Sequence, residues 1–134
     1  GVVIDESKLD FGPGDFLIRN VMGADRNTGA IAVGDHVGVG TTVQFHVRDA
    51  VTADEELSKL LEGAAQPVDG ALLFTCNGRG RHLFDEPHHD AGAIAEATDD
   101  APTAGFFAAG EIGPVGGENF VHGFTASVVL FRDS

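Results

Sequence analysis

The spacing of apolar positions shifts from the period of a strand to that of a helix and back again along the chain. Val2 to Ile4 is a short apolar run, and Phe16 to Val21 follows the turn cluster Gly12-Pro13-Gly14-Asp15. Ala30 to Val33 lies between Asn27-Thr28-Gly29 and Gly34-Asp35, two further turn clusters. Thr42 to Arg48 alternates, with Val43, Phe45 and Val47 on one face and Gln44, His46 and Arg48 on the other. Four strands joined by such short gaps suit antiparallel pairing. The period then changes. Thr52 with Glu55 reads as a capping box, Leu57, Leu60 and Leu61 form an apolar stripe, and Gly63 is the stop, which predicts a helix over 53–63. Ala71 to Cys76 is a buried-type strand, and an Ala-rich helix is predicted over 88–98, after Pro87 and before Asp99-Asp100-Ala101-Pro102. Strands return at Ala104 to Ala109 and Phe120 to Phe131, separated by a glycine-rich loop over 110–117. Phe120 to Phe131 is apolar on both faces and is expected at the sheet centre. The predicted class is α+β, a two-layer sandwich of two helices on a mixed, mostly antiparallel sheet.

The chain of 134 residues is near the usual size of one domain, and residues 1–134 are read as one. With 43% apolar residues, it can build a core and is not disordered by composition. A strand pattern at the first residue points to a piece of a longer protein with a domain upstream. No apolar run reaches membrane-spanning length. The single cysteine excludes a disulfide framework and a Cys-rich zinc site, and points to a reducing, cytoplasmic compartment. Eight basic residues against 21 acidic ones give a formal charge of −13, which argues against nucleic acid and anionic membranes as partners.

Few residues carry chemistry. Gly105 and Gly110 have P-loop spacing, but Glu111 stands where that motif needs Lys, so phosphate binding by that route is rejected. Cys76 at a strand end reads as a small core hydrophobe, with a thiolate tuned by Arg79 and Arg81 as the alternative. His88-His89-Asp90 reads as a solvated helix start rather than a metal cluster, because neighbours on a helix point about 100° apart. His122, between Phe120 and Phe124, reads as a hydrogen-bonded core histidine before a ligand. Glu111 sits among glycines and apolar residues. It either pairs with Arg79 or Arg81 as a structural ion pair or recognises an amine or hydroxyl of a ligand.

Two stretches carry a resemblance. Ala71-Leu72-Leu73-Phe74-Thr75-Cys76-Asn77-Gly78-Arg79-Gly80-Arg81 is one. The other runs from Gly105-Phe106-Phe107-Ala108-Ala109-Gly110-Glu111 through Gly116-Gly117 to Asn119-Phe120-Val121-His122-Gly123-Phe124-Thr125-Ala126-Ser127. Together, and with Asp49 to Leu61, they resemble the FIST C-terminal domain of the F-box and intracellular signal transduction proteins. The resemblance implies a non-enzymatic sensory module, normally preceded by a FIST N-terminal domain, that binds a small cytoplasmic ligand such as an amino acid. It assigns no catalytic set and places no haem ligand. Haem-containing members would leave His46, His88, His89 and His122 as the available residues. The expected ligand site combines Cys76, Asn77, Arg79, Arg81, Glu111, Gly116, Gly117, Asn119, His122 and Thr125, with no metal or cofactor. A module that only docks on other proteins is the alternative, and a haem-based gas sensor or a Cys-dependent enzyme with Cys76, His122 and Glu111 stands behind it. A homo-oligomer stays open.

Overall fold

The computed structural model describes residues 1–64 and 67–133. The chain divides into two compact units, Gly1–His46 with Ile112–His122, and Val47–Glu111 with the chain from Gly123 onward.

The first unit is built from short antiparallel pairs. β1 (Val2–Val3) pairs with β2 (Phe16–Leu17), and β3 (Val21–Ala24) pairs with β4 (Ile31–Val33) across a register shift between Val21 and Gly23. The alternating segment 42–48 does not form the predicted strand. Among the described residues its one bridge runs from Val43 to Val2, and Phe45 and Val47 are 79% and 88% exposed. β1 is two residues long and reaches only Thr42 to Gln44, so among the described residues no strand pairs along the rest of the segment.

In the second unit, α1 (Ala50–Glu62) and α2 (His89–Ala97) accompany a three-stranded sheet in the order β6–β5–β9. β5 (Gly70–Cys76) is central. β6 (Thr103–Ala108) runs parallel to it, and β9 (Ala126–Phe131) antiparallel. Leu57, Leu61, Ala71, Leu73 and Ile94 form the core, with Ala91, Ala93, Ala97, Ala126, Val128 and Leu130 packed against it. Leu57 and Leu61, four apart, face the sheet together, whereas Leu60 points to solvent. The cap of α1 lies three residues before the predicted one. Asp49 accepts from the Thr52 N–H and the Thr52 hydroxyl, each at 2.9 Å. α2 starts after His88, whose backbone is left-handed (φ 62°), and its end is held by the Thr98 hydroxyl on the Ile94 carbonyl at 2.7 Å.

The α+β class with two helices stands, but among the described residues the strands form four small sheets rather than one. Two boundaries are corrected. The glycine-rich stretch carries β7 (Glu111–Val115), which turns at Gly116 and Gly117 into β8 (Glu118–His122). Both turn residues have positive φ (59° and 88°), as a two-residue type I′ hairpin requires. The expected long strand 120–131 breaks into β8 and β9 at Gly123 and Phe124. Phe124 has a left-handed φ of 65°, which no continuous strand accommodates. Among the described residues β9 is an edge strand, and β5 takes the centre.

Candidate functional site

β5 and β6 run parallel and end together, and the chain folds across that end in close hydrogen-bonded turns. The Cys76 N–H donates to the Thr125 carbonyl at 2.9 Å, and the Asn77 N–H donates to the Ala108 carbonyl at 2.8 Å. Thr125, following the left-handed Phe124, turns its own N–H and hydroxyl onto Glu111 Oε2 at 3.4 and 3.2 Å. Glu111 is 1% exposed, and among the described residues its Oε1 has no hydrogen-bond partner. Buried carboxylate oxygens are costly unless a donor meets them, so this atom is the most conspicuous polar feature of the strand end. Cys76 is buried, and its sulfur accepts from the Gly78 N–H at 3.4 Å. Asn77 is exposed at the turn. Four of the ten expected residues, Cys76, Asn77, Glu111 and Thr125, thus meet at one place.

Arg48 joins this end. Its guanidinium donates to the Gly78 carbonyl and lies 4.2 Å above the centre of the Phe124 ring. Sequence reasoning grouped Arg48 with an alternating strand and missed this position. Gly78 leaves the room for it, since a Cβ there would lie 2.6 Å from the Phe124 ring and 3.5 Å from Arg48 Nη2.

Arg79 does not pair with Glu111. It forks onto Asp90, from Nε to Oδ2 and from Nη2 to Oδ1, both at 2.8 Å, with both side chains buried. Thr75 donates its hydroxyl to the same Asp90 Oδ2. Burial pushes the Asp90 carboxyl up, but the hydrogen bonds from Arg79 and Thr75 and the guanidinium charge outweigh it and hold the group below its ordinary value. The solvated reading of His88-His89-Asp90 is therefore corrected for Asp90. His89 stacks on Phe84 with ring centres 3.5 Å apart and planes 5° apart, and it bridges Asp54 and Asp90 at 3.1 and 3.2 Å. Arg81 lies exposed beyond the turn.

The remaining expected residues belong to the β7–β8 hairpin of the first unit. Gly116 and Gly117 form its turn, Asn119 is exposed on β8, and the His122 Nε2 donates to the Gly113 carbonyl at 2.8 Å, tying the two strands. Among the described residues, no group of three or more His, Cys, Asp or Glu is arranged to hold a metal ion, and no helix is long and apolar enough to cross a membrane.

Two cavities adjoin on the second unit. One, of about 270 Å³, runs along β6 from Thr103 to Phe107 and is walled by Leu73, Phe84, Arg79 and Asp90. The other, of about 330 Å³, is a hollow bordered by Asp54, Glu86 and Glu96, and His88 and His89 line both.

The sequence model of the FIST C domain matches residues 1–114. An uncharacterized protein of Mycobacterium tuberculosis H37Rv, Rv0628c, is 56% identical over 99% of this chain, and the match covers 36% of that protein. An uncharacterized protein of Mycobacterium bovis, Mb0898c, is 53% identical over 99% of this chain and 36% of its own length. The chain thus spans about a third of the length of the curated relatives it matches. No solved structure matches it. With the family model covering most of its length, the chain belongs to the FIST C domain family.

Proposed function

We propose that this chain is the ligand-sensing part of a longer signalling protein, and that it takes a small molecule carrying an ammonium group, an amino acid fitting best, at the C-terminal end of β5. The observation that supports this is Glu111 Oε1. A carboxylate held on one oxygen by Thr125 and, among the described residues, left unmet on the other keeps a buried acceptor in a desolvated setting. An ammonium supplies both the missing donor and the opposite charge. Ligands of parallel strands gather at their carboxyl ends, where β5 and β6 stop. A guanidinium forks onto a carboxylate, which would make Arg79 and Arg81 of the expected site the partners of the ligand's carboxylate. Arg79 is committed to Asp90, so that role passes to Arg48, with Arg81 and the exposed Asn77 amide beside the turn. An upstream FIST N-terminal domain is the natural receiver of the signal in this reading.

For a ligand with so few heavy atoms the affinity is expected at roughly micromolar to millimolar. Calorimetric titration with an amino-acid panel, alongside the matching deaminated acids and decarboxylated amines, tests the reading. Binding should require the amine, with the carboxylate adding a smaller gain. Equal binding of the deaminated acids, or silence across the panel, would turn the reading toward a module that only docks on other proteins.

A further inference from the structure

β6 is an edge strand with one neighbour among the described residues, β5. The parity of its backbone is fixed at both ends. The Pro102 carbonyl accepts from the Ala71 N–H and the Ala108 carbonyl from the Asn77 N–H, at 2.9 and 2.8 Å. Even-numbered residues therefore turn their peptide groups toward β5. Thr103, Gly105 and Phe107 turn theirs to the open edge. Edges of this kind are usually blunted by charge, proline, a bulge or a cover. Thr-Ala-Gly-Phe-Phe-Ala has no charge and no proline, and its register with β5 is continuous from Ala71 opposite Thr103 to Cys76 opposite Ala108. Phe106 is 64% exposed and Phe107 48%.

A cavity on the α2 side of the sheet is lined by β6 from Thr103 to Phe107, and it shares His88 and His89 with the hollow bordered by Asp54, Glu86 and Glu96. Its walls along β6 are apolar, whereas the hollow is acidic, on a chain whose net charge is −13. We propose that the open edge of β6 takes an extended peptide segment of another polypeptide, apolar along its length and basic at one end, which adds to the sheet as a fourth strand. Main-chain bonds to Thr103, Gly105 and Phe107 supply the affinity, Phe106 and Phe107 grip alternate side chains, and the acidic hollow takes the basic end. The charge that favours such a partner opposes a second copy of this acidic chain in the same place. This surface is independent of the Glu111 reading.

The test uses a capped Val-Thr-Val-Thr-Val-Lys-Lys peptide and a copy N-methylated on alternate residues, each titrated into the 134-residue chain. The plain peptide should bind in the micromolar range, and the N-methylated copy at least tenfold more weakly. Amide exchange should slow at Thr103, Gly105 and Phe107 but stay unchanged at Ala104 and Phe106, whose peptide groups already face β5. The combined Asp54→Asn, Glu86→Gln and Glu96→Gln variant should weaken binding several-fold and flatten its salt dependence. Glu111→Gln should leave it unchanged. Equal binding of the two peptides, no new protection at the odd-numbered amides, or no binding at millimolar peptide would overturn the proposal. So would a doubled mass of the chain alone with those amides already protected, because a second copy would then hold the edge.

Discussion

Arg79 holds Asp90 through two parallel 2.8 Å hydrogen bonds, and the Thr75 hydroxyl closes on the same carboxylate from the central strand. The triad ties the turn after β5 to the first turn of α2 across the core. Both partners are buried, so removing one leaves the other charged and desolvated. Arg79→Met is expected to lower the unfolding free energy by about 3–5 kcal/mol. The double variant Arg79→Met with Asp90→Leu should recover much of that loss, since no uncompensated charge remains. Urea unfolding of the single and double variants gives the coupling.

The same carboxylate sets a pH dependence. Asp90 lies below its ordinary 3.8 in the folded protein, so the folded form binds its proton less readily than the unfolded chain. The stability it supplies is fully present above 3.8 and is lost as pH falls through the lower folded value. Asp90→Asn should therefore be less stable at neutral pH and show a shallower fall in stability below that point. Thermal unfolding from pH 7 to pH 2 compares the two slopes.

At the start of α1, Asp49 accepts both the N–H and the hydroxyl of Thr52. Asp49→Ala should speed amide exchange through the first turn of that helix, and Asp49→Asn should restore most of the protection because its amide oxygen still accepts. Changing Glu55, the capping partner suggested by sequence, should have no such effect.

Gly105 faces β5 at a position where a Cβ would stand 1.8 Å from the Leu73 carbonyl oxygen. That contact is backbone and cannot swing away. Gly105→Ala should destabilise the β5–β6 pair by about 1–3 kcal/mol, as overpacking does. The loss should be visible as faster exchange of the Ala71 and Asn77 amides, which donate to β6 and its flanks.

The helices and β5 were legible in the sequence because their apolar positions face one core. Leu57 and Leu61 repeat at helical spacing, and Leu73 and Ile94 meet them. The strand ends were less legible. The break at Phe124 rests on a left-handed backbone at a non-glycine residue, which no period reveals. The 42–48 segment alternates, but the two-residue β1 beside it reaches only Thr42 to Gln44. At the candidate site, Glu111 was readable from its glycine surroundings, and its contact with Thr125 was not, because the turn that joins them depends on Phe124. The partner of Arg79 was missed for a similar reason. Asp90 looked like an exposed helix-start residue, and it is buried because α2 packs on the sheet beside Thr75.

The central claim is that Glu111 meets the ammonium of a small ligand, and calorimetric titration of the amino acid that binds best, into wild-type and Glu111→Gln protein, tests it most directly. The account predicts that Glu111→Gln lowers affinity at least tenfold for the amino acid. It also predicts that this variant keeps the fold and unfolds no more easily than wild type, since an amide removes the desolvated charge while keeping an acceptor for Thr125. Unchanged affinity in a folded Glu111→Gln protein would contradict the account.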